Sequence, residues 1–304
     1  MARLVSILGV TAVVIAITAP GAASAQDHDH AAAQGHSHEN PVVSCTDLAA
    51  PPWNGLPAAD RDQIAKVQRS LQTLSTPEAA RAAGYSPALG DIPGMGVHYV
   101  SPERARDGVK IDEPDHLLFA TIDGREQLVG AAYAFRDVPD TKEPIPYQSD
   151  LAHWHDHPQF AAQGQTLHML HVWFVPSSNG PFAGLNFWLP FRAVGIQPPS
   201  SCWMADEHDS SRIQLVSFAL APRAWGDGGA RVVDNAARQA SRRELLAALD
   251  AAAKAGDHDA WFAAADRFIA DLTPAERMLA QGTLGALTNA QMSSAQREEV
   301  EHQH

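Results

Sequence analysis

The sequence predicts an α+β fold: an antiparallel β core with N-terminal helices and a C-terminal helical bundle. Apolar residues recur at helical spacing over residues 64–74 and again beyond residue 240, with capping signals near both stretches. Between them, from about Gly90, short runs rich in branched and aromatic residues alternate with clusters of Gly, Pro, Asn and Asp. No internal repeat is visible.

Residues 1–25 read as a signal peptide rather than part of the fold. Arg3 precedes an apolar run from Leu4 to about Ala19, and Ala23-Ser24-Ala25 supplies the small-x-small pattern of a cleavage site. The run is short for a membrane span, and no other segment is long and apolar enough for one. A soluble mature protein is expected, periplasmic or secreted. About 279 residues remain after cleavage, enough for one large domain or one domain with a helical appendage.

Residues 26–50 read as a disordered His-rich tail, with His28, His30, His36 and His38 set among acidic residues. Such a tract binds divalent metal weakly and collectively, or is a plain solvated tail. His302 and His304 at the other end are a second loose metal lure or chance.

The α+β core domain is assigned to residues 51–236 and the helical C-terminal region to 237–304. Asp60 with Gln63 forms a candidate capping box for a helix whose apolar face is Ile64, Val67, Leu71 and Leu74. Thr76-Pro77-Glu78 starts a second helix that stops at Gly84. Pro93-Gly94-Met95-Gly96 is a turn before the strand Val97–Val100, and Leu117–Thr121 with Gln127–Phe135 forms a hairpin about Asp123-Gly124. Residues 137–150 are loop. Leu167–Val175, Leu185–Phe191 and Ile213–Ala219 read as further strands. Ser241-x-x-Glu244 and Thr273-x-x-Glu276 are capping boxes in the closing bundle, and Trp261, Phe262, Phe268 and Ile269 mark a middle helix.

The formal net charge is −13. Without Lys/Arg runs, a chain this acidic does not bind nucleic acid or an anionic membrane by bulk electrostatics. It suits capture of cations. Cys45 and Cys202 are the chain's two cysteines. In an exported protein an even count favours a disulfide, and neither sits in a C-x-x-C pair; a thiolate metal site is the alternative.

The chemistry lies in the histidines. Five of the fifteen fall between residues 153 and 171, as His153-Trp-His155-Asp-His157 and His168-Met-Leu-His171. Neutral imidazole suits zinc, copper, iron and nickel. In an extended segment His153, His155 and His157 share one face, while His168 and His171 face opposite ways. His98 follows a glycine-rich turn, where backbone can approach a site closely. The expected metal ligands are His98, His153, His155, His157 and His171, with Asp150, Asp156 or Gln165 orienting a ring. His116, His208 and His258 adjoin acidic residues and read as solvated charged turns.

Familiar catalytic patterns fail. His155-Asp-His157 begins a cupin-like motif, but no glutamate follows before residue 207. Cys202-Trp-Met204 places methionine too early for a blue-copper loop. H-E-x-x-H, G-x-S-x-G and phosphate-loop patterns are missing from the sequence.

Pro93-Gly-Met-Gly-Val-His-Tyr-Val100, Leu128-Val-Gly130, His171-Val-Trp173 and Asn179-Gly-Pro-Phe182 with Asn186 resemble the motifs of an uncharacterised family of secreted bacterial proteins. The resemblance covers roughly residues 60–202 and implies that His98, His171, Asn186 and Cys202 are family positions. It supplies no reaction. The chain departs from that pattern at Met169, where an acidic residue is expected, which excludes an acidic ligand there. It also has a longer stretch before Cys202 and an added helical tail.

The expected function is capture or handling of a divalent transition metal by an exported protein, copper or zinc first, with iron also fitting. An enzyme whose His-ligated metal activates water or dioxygen is the alternative, with Trp154, Trp173 and Trp188 walling a pocket; a non-metal interaction protein is the other. Binding to imidazoles of ordinary pKa weakens as pH drops through about 6.5.

Overall fold

The computed structural model describes residues 44–136, 144, 146–162, 165–220 and 236–290. The expected signal peptide, residues 26–43 of the His-rich tail, and His302 and His304 lie outside them. The fold is α+β: an antiparallel sheet with helices before and after it in the chain.

Two helices lead in, α1 (Ala58–Ser70) and α2 (Pro77–Ala82). Ile64 and Val67 of α1 are buried, as the helical spacing predicts. The expected Asp60 cap does not form. Pro57 occupies the cap position, and the buried Asp60 carboxylate accepts backbone N–H bonds from Gln148 and Ser149, both at 2.8 Å. A carboxylate satisfies a distant loop as readily as its own helix, and sequence spacing does not distinguish the two. Thr76 does cap α2, accepting from the Ala79 N–H.

The strands are β1 (Ser86–Ile92), β2 (Gly96–Val100), β3 (His116–Ile122), β4 (Arg125–Arg136), β5 (His155–Ala162) and β6 (Gln165–Trp173). They lie in the order β1-β2-β3-β4-β6-β5, every neighbour antiparallel. Thus β6 is internal and β5 is the edge. On one face Tyr99, Leu117, Tyr133 and Leu170 are buried in a cluster with Ile64 and Val67 of α1.

Two segments expected as strands are not. Ile213–Ala219 is the second half of α4 (Glu207–Ala219), where Ile213, Val216 and Ser217 fall on one helical face. Asp206 caps that helix through the Asp209 N–H, a signal that outweighs the branched content of the run. Within Leu185–Phe191, Pro190 sits in the first turn of the short helix α3 (Leu189–Ala193), where its missing N–H costs nothing.

The described chain closes with α5 (Ala236–Ala255), α6 (His258–Asp271) and α7 (Pro274–Ala290), and α7 packs against β5. The Thr273/Glu276 box forms in both directions: Glu276 N–H donates to Thr273 Oγ1, and Thr273 N–H donates to the Glu276 carboxylate. Ser241 starts nothing, because the good helix formers before it extend α5 back to Ala236. Cys45 and Cys202 form a disulfide that joins the start of the described chain to the segment before α4. No helix among the described residues is long and apolar enough to cross a membrane.

Candidate metal centre

Register decides which histidines meet. His116 pairs with Ala132, and Ala132 pairs with His171. Leu118, two residues beyond His116, pairs with His98; Met169, two residues before His171, pairs with His155. Paired residues point to one side of a sheet and side chains alternate along a strand. His98, His116, His155, His157, Met169 and His171 therefore share one face, contributed by β2, β3, β5 and β6.

The rings form a row. Centroid separations are 6.1 Å from His116 to His98, 5.6 Å to His171, then 5.0 Å to His155 and 5.0 Å to His157. His98 and His171 approach although their strands are three spacings apart, ~14 Å of sheet. The reason lies in β4, which crosses between them with Gly130, Ala132 and Ala134 on this face, Arg136 lying beyond them toward His157. A Cβ on Gly130 would lie 2.7 Å from the Val172 carbonyl oxygen and 3.2 Å from the Leu118 and Trp173 side chains. With so little side chain on β4, the imidazoles lean over it.

Two backbone features hold the row. Gly96, at φ 73°, begins β2 where a Cβ would meet the Phe119 carbonyl oxygen at 2.2 Å, so only glycine lets β2 enter beside β3 and carry His98. Residues 181–186 then cover β6. Trp173 N–H donates to Pro181 O at 2.7 Å, Trp173 Nε1 to Ala183 O at 2.6 Å, and His171 Nδ1 to Gly184 O at 2.9 Å. Asn186 N–H reaches the Gly94 carbonyl of the turn before His98 at 2.8 Å. One segment thus positions both His171 and the entry to His98. The Asn186 side chain fixes that segment, donating to Pro176 O and accepting from Trp188 N–H.

His98, His155 and His171 are buried and neutral. Burial, followed by neighbouring imidazoles, holds His98 and His155 well below the ordinary histidine range. The same desolvation brings His171 down to about 3, against the smaller opposing pull of its bond to Gly184. A carbonyl only accepts, so His171 Nδ1 carries the proton and Nε2 presents its lone pair. That Nε2, His98 Nδ1 and His155 Nε2 are all buried without a hydrogen-bond partner. An unpaired buried nitrogen costs about 1–3 kcal/mol, and three together on one sheet face call for an explanation. Burial also moves the expected pH window: His171, already neutral at pH 5 in the fold, has no proton to lose at 6.5.

His153 stands apart, exposed in the segment before β5. His157 ends the row, on the His155 face. Asp156 points to the opposite face and meets His168 at 2.8 Å, where His168 also stacks on Phe135 at 4.8 Å. His116, read from sequence as a charged turn, is instead buried at the first position of β3 with Asp115 Oδ2 3.0 Å from its Nδ1, though not aligned for a hydrogen bond. Its signal was the hairpin register: extending β3 by one residue puts it on the His98 face.

Imidazoles sharing a tetrahedral ion at 2.0–2.1 Å stand roughly 5 Å apart by centroid. The His98–His171–His155 spacing matches this, but the nitrogens do not yet point to a common centre. Among the described residues three ligand atoms lie within 4.8 Å of one another only at Asp206, His208 and Asp209. That trio sits at the start of α4, where Asp206 caps the helix and Asp209 holds Arg212 and His258. The His208 side chain is 76% exposed. Its carboxylates are already committed, and solvated acidic groups gather at helix starts without metal.

No protein-family model, no curated protein and no solved structure matches this chain.

Proposed function

We propose that this is an exported protein that holds a divalent transition metal, copper or zinc, through His98, His155 and His171, with His116 and His157 at the ends of the row. The observation that carries this reading is the set of three buried, partnerless imidazole nitrogens on one sheet face. Neutral imidazole is the protonation state that a metal needs. The Gly184 carbonyl on His171 is the kind of second bond that orients a ligand ring. A shared ion would require the His98 and His155 rings to turn toward His171 Nε2, which the Gly184 bond leaves free.

Holding fits better than turnover. The rings are enclosed, His171 completely, so a substrate would need an entry that an ion bound once does not. The disulfide suits an oxidising compartment, as export requires. The test is metal content of untagged full-length protein purified without added metal and washed with a weak chelator. One equivalent is expected, and His98→Ala and His171→Ala should each lose it. Native protein that retains no metal and gains no stability from added copper or zinc overturns the proposal.

A further inference from the structure

We infer that the ion this site selects is cuprous copper, with the Met169 thioether as a ligand beside the imidazoles; this rests on the histidine reading above. Met169 is buried, lies directly across from His155 in the β5–β6 ladder, and precedes His171 by one alternation on the same face. Side chains paired in this way have Cβ atoms about 4.5–5.5 Å apart, within reach of a flexible thioether. Met169 therefore lies beside both His155 and His171 on the face that carries the row.

The donor set then becomes two or three imidazoles and one thioether. Thioether sulfur is a soft ligand that favours Cu(I), whereas zinc takes imidazole, thiolate and carboxylate. The electrostatics agree. The donors at His98, His155, His171 and Met169 are all neutral, so the ion keeps its full charge in a buried place. The Born cost grows with the square of the charge, and a monocation costs about a quarter as much as a dication to bury there. The ligand Asp156 might have supplied is turned to the other face, against His168. A neutral, enclosed nitrogen-and-sulfur site discriminates against hard dications by leaving their charge uncompensated.

The test titrates full-length protein with Cu(I) under ascorbate against bicinchoninate, and separately with Zn(II) against a zinc chelator. Native protein, Met169→Leu and His171→Ala are compared, each keeping the terminal histidines, so differences report the folded site. Leucine conserves the volume of Met169, and circular dichroism checks the fold. Cu(I) is expected to bind more tightly than Zn(II), and Met169→Leu to weaken Cu(I) about tenfold to a hundredfold while leaving Zn(II) unchanged. X-ray absorption of the Cu(I) complex should show a sulfur scatterer that Met169→Leu removes. Zinc bound more tightly than Cu(I), or Cu(I) affinity and sulfur scattering unchanged in Met169→Leu, overturns this inference. If binding is still lost in His171→Ala, the histidine reading survives that result; failure of native protein to bind either ion overturns both.

Discussion

The two faces of the β5–β6 ladder bury histidines in opposite ways. On one face His168 meets the Asp156 carboxylate and stacks on Phe135. On the other, His155 and His171 crowd against each other and His98 while each leaves a nitrogen unpaired. The residues alternate along the same two strands, so local backbone, solvent exclusion and sheet position are shared. What differs is the partner. His168 is given a carboxylate and an aromatic face, whereas His155 and His171 are set mainly against other imidazoles, with the Gly184 carbonyl holding one nitrogen of His171.

The largest expected effect breaks the unpaired face. His171→Ala removes the central ring of the row and its bond to Gly184, and metal affinity should fall by about a hundredfold or more. Equilibrium dialysis with copper and with zinc reads this directly. Asp156→Ala makes the converse cut. It strips the carboxylate from His168 and should cost about 2–3 kcal/mol of stability in denaturant unfolding while leaving metal stoichiometry intact. If both variants lose metal and stability alike, the two faces do not differ in the way drawn here.

Acidity sharpens the contrast. His98, His155 and His171 have depressed folded values, so the unfolded chain takes up protons that the fold refuses. The stability they contribute is present above the unfolded value near 6.5 and is lost as pH falls from there toward about 3, the folded value of His171. The exposed His258 acts with opposite sign, since Asp259 and Asp209 raise its value and its contribution fades as pH rises. The metal-free unfolding midpoint should therefore drop between pH 6.5 and pH 4.5, above the range where most carboxylates titrate. Bound metal should raise the midpoint throughout that window. A midpoint independent of pH there would mean that the rings are not neutral in the fold.

Much of this geometry was legible in the sequence, and the parts that were not have physical reasons. Period-two alternation puts His155 and His157 on one face and separates His168 from His171, because alternation belongs to any strand. The Asp123-Gly124 hairpin and the helical spacing of Ile64 and Val67 are likewise local signals. His116 escaped because its place depends on pairing across β2, β3 and β4, while its neighbour Asp115 looks like solvent. Ile213–Ala219 misled because branched residues suit either state, and the deciding cap lies seven residues upstream at Asp206. His153 shares the alternation but not the strand, since β5 begins only at His155.

The smallest expected effect probes why the row can form at all. Gly130 keeps β4 low between the strands that carry His98 and His171. In Gly130→Ala the new methyl would press on the Val172 carbonyl, Leu118 and Trp173, and Trp173 stands next to His171 with ring centroids 6.0 Å apart. Overpacking of this kind costs about 1–3 kcal/mol, and the carbonyl has little freedom to retreat within a paired strand. Metal affinity should fall by only a few-fold, because the ligands remain and only their approach is altered. Loss of metal as complete as in His171→Ala, at unchanged stability, would make Gly130 part of the site itself. Unchanged affinity despite a lower unfolding midpoint would show that the rings do not depend on the low centre of the sheet to meet.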